Sequence, residues 1–368
     1  MSAAKGAPLR ERKVGVDALV DYPDRIDVRS PSEFAEDHIP GAASCPVLDD
    51  AERARIGLMH AQVSAFAAKK AGAAVVARNI AAMLETTFAD KPKDWAPLVY
   101  CWRGGKRSGA LAHILSEIGW RAVQLDGGYR SYRRHVVAQL PVLPAAFRFE
   151  VICGLTGSGK SRLLSALATE GAQALDLEAL ARHRGSLLGD LPDEPQPSQK
   201  WFESQLLAAL QGFDPGLPVY VESESKRIGT VQVPDALLRA MRGAPCVRVE
   251  TPHALRIELL KGEYAHFLGD PAALTSRLSR LLELHGRKTL DRWAQAAAAG
   301  DWDTLVGELL VHHYDPTYAR SIAKNFPRYG DAFVAAPTGV TDAAFRALAR
   351  EVDATLRSRQ AAGAAIAA

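Results

Sequence analysis

The feature that most restricts the fold is the segment GLTGSGKS, residues 154–161, which follows the apolar stretch RFEVICG and opens a helical stretch. It satisfies G-x4-G-K-[ST], a loop between a strand and a helix whose backbone N–H groups surround a diphosphate. Lys160 would neutralise the diphosphate, and Ser161 would bind an accompanying Mg²⁺. A chance glycine turn before a helix is the alternative interpretation. The candidate phosphate-binding residues are Gly154, Thr156, Gly157, Ser158, Gly159, Lys160 and Ser161.

The rest of the chain indicates how this loop is housed. Short apolar strands in AQALDLE, LPVYVESES and APCVRVET alternate with helical stretches, which predicts a parallel α/β sheet. At 368 residues the chain is too long for one ordinary core. We predict a first domain over 1–138, a proline-containing linker over 139–147, a P-loop α/β domain with a helical C-terminal extension over 148–358, and a disordered tail over 359–368.

Composition restricts the class of protein. Apolar residues make up 48% and charged residues 24%, which is typical of a globular protein. The formal net charge of +3 is compatible with an anionic ligand or RNA but does not argue for either. Four cysteines without a C-x-x-C pair argue against a zinc knot or disulfide framework and favour a reducing compartment. The start, MSAAKGAPLRERK, resembles no signal peptide, and no stretch reaches transmembrane length. We expect a cytoplasmic monomer.

A second loop with chemical character is YCWRGGKRSG, residues 100–109, between the strand APLVYC and the helix SGALAHILSEIGW. Backbone N–H groups at the helix start, with Arg103, Lys106 and Arg107, would stabilise a thiolate on Cys101 and hold an oxyanion beside it. A buried free cysteine is the alternative without chemistry. The loop satisfies Cys-x5-Arg, the pattern of cysteine phosphatases, and also the shorter loop of sulfurtransferases, whose thiolate takes up a chalcogen.

The flanking sequence favours the sulfurtransferase. IDVRSPSEFAEDHIPGA, residues 26–42, and LDGGYRSY, residues 125–132, together resemble the rhodanese family. A phosphatase more often carries a histidine before the cysteine, where this chain has Tyr100. The resemblance implies that Cys101 carries a chalcogen and that Asp27 and Arg29 form a structural ion pair.

Acidic residues follow two strands of the predicted P-loop domain. PVYV ends in ESESKRIG, residues 222–229, and AQALDLE contains Asp176 and Glu178. The carboxyl ends of parallel strands meet at the edge where α/β sheets bind ligands. Glu222 or Glu224 would therefore take the place of the aspartate that holds Mg²⁺ in an ordinary P-loop NTPase. Helix capping is the alternative for each of these acids.

Four segments carry a more specific resemblance: LARHRGSLLG at 180–189, QPSQKWFE at 196–203, ESESKRIG, and VHHYDPTY at 311–318. In this order, behind a rhodanese-like domain, they resemble the bacterial tRNA 2-selenouridine synthase family from about Asp17 to Tyr329. The fold that this implies is α/β, with an N-terminal rhodanese-like domain followed by a P-loop NTPase-like parallel α/β domain with a helical C-terminal part.

The resemblance also implies a transferase that modifies the wobble uridine of tRNA in two steps. Geranyl diphosphate, held by the P-loop without ATP hydrolysis, first alkylates the 2-thio group. Selenium from selenophosphate, carried on Cys101 as a perselenide, then displaces the S-geranyl group. The implied partners are tRNA, selenophosphate and geranyl diphosphate, with no tightly bound cofactor and with Mg²⁺ compatible with the P-loop.

Two sets of candidate residues follow. YRSYRRHV, residues 129–136, offers RNA both stacking and phosphate contacts, although a solvated helix face is the alternative. Its RNA-contact candidates are Tyr129, Arg130, Tyr132, Arg133 and Arg134.

The second-site candidates beside the P-loop are Asp176, Glu178, His183, Arg184, Glu222, Ser223, Glu224, Ser225, Lys226, Arg227, His313, Tyr314, Asp315 and Tyr318. Adjacent histidines point in different directions on a helix, so we predict no metal ligation by His312 and His313.

Two other classes of protein stay open. A small-molecule kinase or NTPase with a regulatory rhodanese sulfurtransferase module would act through Lys160 and would not need tRNA. A binding-only protein with a vestigial P-loop is disfavoured by the intact motif. The residues of a prenyl pocket are not predicted, because alanine and leucine are abundant throughout 160–310.

Overall fold

The structure is a computed structural model that describes residues 13–367, with side chains described for residues 13–359. The segment up to Arg12, where we looked for a signal peptide, lies outside the described residues, as does Ala368. The chain forms two compact units, residues 13–139 with 198–208, and residues 140–197 with 209–367. The break at 139/140 falls at the predicted linker, which contains a short 3-10 helix, Leu143–Ala146. The assignment of residues 198–208 to the first unit was not predicted.

The first unit is an α/β unit with a parallel sheet. Its elements are β1 (Lys13–Val14), β2 (Arg25–Asp27), α1 (Pro31–Glu36), β3 (Ala42–Ser44), α2 (Asp50–Gln62), α3 (Ala65–Glu85), β4 (Leu98–Tyr100), α4 (Lys106–Ile118), β5 (Val123–Leu125) and α5 (Gly128–Gln139), with a 3-10 helix at Val16–Asp21. The strands lie in the order β1-β5-β4-β2-β3, and every pair is parallel. The cysteine loop follows a strand, as the sequence predicted, and this strand, β4, is the central one of the sheet.

Local sequence explains the elements nearest that loop. The Ser30 cap and Glu33 form a capping box around Pro31 at the start of α1. Helix α4 ends at Gly119, whose φ of +109° suits a residue without a Cβ. The apolar face of α4 packs Leu111 and Leu115 into a core with Ile26 and Val99, and this packing fixes where the loop before α4 begins.

The second unit carries the P-loop. Its elements up to the last helix are β6 (Arg148–Cys153), α6 (Lys160–Thr169), β7 (Gln173–Leu175), α7 (Leu177–Ala181), α8 (Gln199–Gln211, of which 199–208 belong to the first unit), β8 (Pro218–Glu222), β9 (Arg227–Ile228), β10 (Val231–Gln232), α9 (Asp235–Gly243), β11 (Cys246–Val249), α10 (His253–Glu263), α11 (Ala265–Leu268), α12 (Pro271–Leu278), α13 (Leu282–His285), α14 (Arg287–Ala299), α15 (Trp302–Leu309), α16 (Asp315–Asn325) and β12 (Phe333–Ala335).

The strands of the second unit confirm the predicted parallel α/β fold. Their order is β12-β11-β6-β8-β7, all parallel, while β9 and β10 form a separate antiparallel pair. Because β6 and β8 are neighbours, the P-loop after β6 and the acidic segment after β8 emerge at the same edge. A π-helical turn, Leu310–Tyr314, joins α15 to α16, and a 3-10 helix covers Pro327–Asp331.

The last helix, α17 (Asp342–Ala367), continues through residues for which composition predicted a disordered tail. Alanine has the highest helix propensity of the natural residues, so an alanine-rich end extends a helix instead of interrupting it. Within the part of the chain that the structure describes, no helix has the length and apolar character needed to cross a bilayer.

Candidate functional site

Cys101 lies at the floor of its loop, and its sulfur accepts two hydrogen bonds. The backbone N–H of Gly105 donates at 3.3 Å and the Ser108 hydroxyl at 3.2 Å. Gln124 donates to that hydroxyl at 2.6 Å and to the Gly105 carbonyl at 2.9 Å, which orients both donors. Donors aimed at a sulfur stabilise its thiolate form. Ser108 and Gln124 were missed in the sequence, where neither belongs to a recognised motif.

The glycines of the two rhodanese-like segments allow this loop to curl. Gly104 has a φ of +60°, and a Cβ there would lie 2.5 Å from the carbonyl oxygen of Leu125. Gly128, with a φ of +59°, lies against the carbonyl of Cys101, and the N–H of Tyr129 donates to that carbonyl at 2.9 Å. The resemblance of LDGGYRSY to the rhodanese family therefore reflects a direct contact with the cysteine loop.

The three cations of the loop have different environments. Arg103 and Lys106 are exposed and form no ion pair with another described residue. Arg107 instead donates to Glu33 at 2.8 Å, and Glu33 also pairs with Arg53 at 3.2 Å. Glu33 therefore compensates the charge of Arg107, and the contact of Arg107 with a bound oxyanion stays a prediction. Arg103 and Lys106 are left as the cations available to an anion.

The predicted ion pair between Asp27 and Arg29 is confirmed. Their side chains meet at 2.6 Å and are only 0% and 1% exposed. The Arg29 guanidinium also lies 4.0 Å from the centre of the Tyr129 ring and donates to the Asp37 carbonyl at 2.6 Å. Since these contacts brace the strand end next to the cysteine loop, the pair has a structural role.

The RNA-contact candidates separate into buried and exposed residues. Tyr129 and Tyr132 are 3% and 4% exposed, so the expectation that their rings stack on RNA is wrong; Tyr129 donates to Asp37 at 2.7 Å. Arg133 is bonded to Glu203. Arg130 and Arg134 are exposed and line an open cavity. Trp102, the residue that follows Cys101 in the chain, lines the same cavity. These two arginines keep the features of an RNA contact.

In the second unit the P-loop has the expected setting between β6 and α6. Gly157 and Gly159 adopt φ values of +73° and +85°, which curl the backbone. The Lys160 ammonium donates to the carbonyls of Gly154 and Leu155 at 3.1 and 3.3 Å and lies 5.7 Å from the centre of the Tyr318 ring. A lysine held above the loop in this way is placed to meet an incoming phosphate.

The loop opens into a polar cavity. Its lining includes Lys160, Ser161, Arg184 and Ser186, with Tyr318 on one wall. Four of the predicted candidates, Glu178, Arg184, Glu224 and Tyr318, are brought together here. Arg184 is held in place by the carbonyl of Glu263 and by the Tyr264 ring, 5.0 Å from its guanidinium carbon.

Three glutamates converge beside Ser161. Carboxylate oxygens of Glu178, Glu222 and Glu224 lie within 4.8 Å of one another, and Ser161 donates to Glu222 at 2.9 Å and to Glu178 at 3.2 Å. One oxygen of the fully buried Glu222 has no protein donor among the described residues. Oxygen ligands of this kind are those that Mg²⁺ takes in proteins, so these residues fit the ion for which the sequence offered Ser161 and either Glu222 or Glu224.

Burial and mutual repulsion alter the protonation of this cluster. Burial, with the neighbouring Glu224 charge, raises the pKa of Glu178 to about 8. Burial, with the neighbouring Glu222 charge, raises the pKa of Glu224 to about 8. The pKa of Glu222 lies well above its ordinary value for the same reasons. The cluster therefore retains protons near neutral pH unless a cation takes their place.

The other second-site candidates lie elsewhere or have structural roles. Asp176 caps α7 by accepting from the Ala179 N–H at 2.8 Å, which is the capping alternative. His183 is buried and accepts from the Gly185 N–H at 3.1 Å. His313 is paired with His285 at 3.1 Å. The remaining residues do not line the polar cavity: Ser223, Ser225, Lys226, Arg227, Tyr314 and Asp315.

One buried cation supports the loop from behind and was missed in the sequence. Arg256 donates to the Thr156 carbonyl at 2.9 and 2.8 Å and to Asp315 at 3.0 and 2.5 Å. No clear signal in the sequence marks this role, because α10 (HALRIELLKGE) contains other charged residues besides Arg256. Asp315 is thus a residue that positions the P-loop and does not contact a ligand in the cavity.

Comparison with known families agrees with this division of the chain. Residues 16–135 match the rhodanese-like domain, and residues 147–275 match the family described as the tRNA 2-selenouridine synthase AAA domain. The fold and the two loops therefore define a fusion of a rhodanese-like domain with a P-loop domain, as predicted.

Relatives that extend over both domains make the assignment specific. The chain is 33% identical to the tRNA 2-selenouridine synthase of Nitrosomonas europaea over 79% of this chain and 80% of that protein. It is 35% identical to the protein of that name from Aeromonas salmonicida, over 80% and 85% of the two chains. It is 37% identical to that of Chromohalobacter salexigens, over 67% and 66%. This chain belongs to the tRNA 2-selenouridine synthase family.

Proposed function

We propose that this chain replaces the sulfur of a wobble 2-thiouridine in tRNA with selenium, using geranyl diphosphate and selenophosphate as co-substrates. Membership of the family supports the tRNA and selenium components. The observation that carries the two-step form is the presence of two different anion sites. One surrounds a thiol, with the free cations Arg103 and Lys106, and the other is a P-loop cavity with Lys160.

The first step that we propose is alkylation of the base. The 2-thio sulfur attacks C1 of geranyl diphosphate, the S–C bond forms, the C–O bond breaks with its electron pair on the diphosphate, and the N3 proton is released. Lys160 and the loop N–H groups would stabilise the charge that grows on the leaving diphosphate. Mg²⁺ held by Ser161 and the three glutamates would add positive charge there.

Alkylation prepares the second step, because sulfur on C2 is a poor leaving group as a thione and a better one as a thioether. Selenium attacks C2, the C2–Se bond forms, the C2–S bond breaks, and geranylthiol leaves with a proton. Selenophosphate, the alkylated base and water together give 2-selenouridine, geranylthiol and phosphate. This overall reaction changes no oxidation state.

Electron balance restricts what Cys101 can do. A perselenide on Cys101, which the family resemblance implied, contains an S–Se bond, so its formation from selenophosphate with release of phosphate would require an additional two-electron acceptor. Attack of the thiolate on phosphorus is redox-neutral: the S–P bond forms, the Se–P bond breaks with its pair on selenium, and water later cleaves the S–P bond. We propose this role, with Arg103 and Lys106 binding the phosphoryl oxygens.

The tRNA would contact the exposed Arg130 and Arg134 beside the cysteine loop, because phosphate contacts position an RNA substrate. We also propose a cytoplasmic location, because the proposed substrate is a tRNA. That it works as a monomer stays a prediction.

The experiment uses the purified full chain and tRNA containing 2-thiouridine, with geranyl diphosphate and selenophosphate added separately and together. Mass spectrometry of the digested nucleosides should show S-geranyl-2-thiouridine with the first donor alone and 2-selenouridine only with both. Unchanged nucleosides in every arm would refute the proposal.

A second candidate is a kinase or NTPase with a rhodanese module. The observation in its favour is the contact of Ser161 with Glu222 at 2.9 Å, because P-loop NTPases hold Mg²⁺ with a P-loop serine and an acid at the end of a neighbouring strand. An arm with ATP and Mg²⁺ but no tRNA distinguishes the two, since only this candidate predicts ADP or phosphate release there.

A further inference from the structure

The helical part of the second unit contains an apolar cavity. Of the residues predicted as site candidates, only Thr156 and Tyr314 line it. Its walls come from α10, α11, α12 and α15 and from the segment before α8, and include Leu188, Leu260, Phe267, Leu274, Leu305 and Leu309. The cavity is narrow and partly open, with a volume of about 50 Å³.

This cavity adjoins the phosphate cavity. Thr156 of the P-loop, Leu260 and Tyr264 line both spaces. Leu260 packs directly on the loop, because a Cβ at Gly157 would lie 2.7 Å from its Cγ. A molecule whose diphosphate is bound by the P-loop can therefore extend its remainder past Leu260 into an apolar space.

The chemistry of the walls favours an apolar remainder over a nucleoside. Ribose and base require several hydrogen-bonding partners, and few polar groups line this space: the Thr156 hydroxyl, at the P-loop end, has no partner among the described residues, and two others are engaged. The Tyr264 hydroxyl is bonded to Ser186 at 3.0 Å, and the Lys261 ammonium is paired with Asp303 at 2.6 Å. Apart from Thr156, the rest of the lining is formed by leucine, valine, phenylalanine and tryptophan side chains and by Tyr314, and these side chains favour a hydrocarbon.

We propose that this cavity binds the hydrocarbon chain of the allylic diphosphate and sets the chain length that the enzyme accepts. The inference rests on the proposed function, in which such a diphosphate is the donor. Burying one methylene group is equivalent to roughly a fourfold gain in binding. A ten-carbon donor should therefore exceed a five-carbon donor in kcat/KM by about a hundredfold or more, provided that most of the additional carbons are buried.

The test measures tRNA alkylation with dimethylallyl, geranyl and farnesyl diphosphates, which carry five, ten and fifteen carbons. Leu305→Phe fills the cavity and should lower kcat/KM for geranyl diphosphate by about tenfold or more, since one added ring displaces several methylene groups. The five-carbon donor should change by less than about threefold, because it does not reach that wall. Inhibition by inorganic diphosphate should be unchanged, which also shows that the variant is folded.

Two further variants complete the design. Leu281→Phe is the matched control, because Leu281 is buried in the same helical cluster but does not line the cavity, and any effect should be equal for all donors. Leu274→Ala enlarges the cavity. It should raise the ratio of kcat/KM for farnesyl diphosphate to kcat/KM for geranyl diphosphate several-fold.

The outcomes separate the two hypotheses. Suppose that the wild-type protein alkylates tRNA. If Leu305→Phe and Leu274→Ala then leave the preference among the three donors unchanged, or if Leu281→Phe changes that preference as much as they do, the cavity assignment is wrong and the proposed function stands. If wild-type protein alkylates with no donor, the proposed function fails and the assignment fails with it.

Discussion

The guanidinium of Arg256 bridges Asp315 and the P-loop, donating to the carboxylate at 2.5 and 3.0 Å and to the Thr156 carbonyl at 2.8 and 2.9 Å. The arginine side chain is only 6% exposed. A residue from the VHHYDPTY segment thus fixes the shape of a loop more than 150 positions earlier in the chain. The motif belongs to the phosphate site without lining it.

Removing that support should destabilise the second unit. Asp315→Ala leaves the buried Arg256 charge without its carboxylate, and breaking a fully buried pair costs about 3–5 kcal/mol. Because Asp315 is 26% exposed, we expect a loss of about 1–3 kcal/mol in urea unfolding, with weaker diphosphate inhibition. Asp303→Ala, which removes a 70% exposed partner of Lys261, should cost less than about 0.5 kcal/mol. Equal losses for the two variants would contradict the assigned role of Asp315.

Substitution of Cys101 should separate the two chemical steps. Cys101→Ser should leave geranylation within about twofold and reduce selenation by at least about a hundredfold, because a serine hydroxyl is a much weaker nucleophile than a cysteine thiol. Cys45→Ser is the control: burial raises the pKa of that thiol to about 11, so it is not a nucleophile. Nucleoside mass spectrometry reads both steps. Selenation that persists in Cys101→Ser would limit the loop to anion binding.

The pH dependence of stability should follow the three glutamates. Their raised pKa values mean that the folded state binds more protons than the unfolded state between about pH 4.5 and pH 8, so stability is greatest below that window and falls as the pH rises through it. We expect Tm without divalent cations to fall by about 5 °C between pH 5 and pH 8.

Two additions test the origin of that slope. Glu178→Gln should flatten it, because the amide does not ionise. Mg²⁺ should raise Tm more at pH 8 than at pH 5, since at pH 5 it competes with protons. A slope that Glu178→Gln leaves unaltered would show that other groups control the transition.

The exposed arginines of α5 should contribute to tRNA binding through charge. Arg130→Gln and Arg134→Gln should each weaken binding of tRNA at low salt and reduce the slope of log K against log salt by about one. Filter binding at several salt concentrations measures this slope. Arg121→Gln, an exposed arginine that donates to the Asp94 carbonyl at 3.0 Å, should leave the slope unchanged. If all three variants behave alike, α5 is not an RNA surface.

The sequence predicted those features that depend on residues close together in the chain. The P-loop and the cysteine loop each lie between the predicted strand and helix, because glycine conformation and apolar periodicity are local properties. The parallel sheets followed from the alternation of strands and helices. The convergence of Glu178 with Glu222 followed from strands that end at one sheet edge.

What the sequence could not predict depends on distant partners. Arg107 is paired with Glu33, 74 positions away, and Tyr129 is buried against Asp37, 92 positions away. The apolar cavity beside the P-loop is assembled from segments of ordinary composition. In each case the partner is far away in the sequence, and the role of the residue depends on tertiary packing that its local segment does not reveal.

The assignment of residues 198–208 to the first unit has a consequence for the order of synthesis. Within that unit His38 stacks on Trp201 with ring centres 3.9 Å apart, and Lys200 pairs with Glu36 at 2.6 Å. The ribosome therefore makes the P-loop and the first strands of the second unit before it makes the last piece of the first. The rhodanese-like unit, although first in the chain, cannot finish folding until the nascent polypeptide has emerged beyond residue 208, so its maturation must wait for its neighbour to begin.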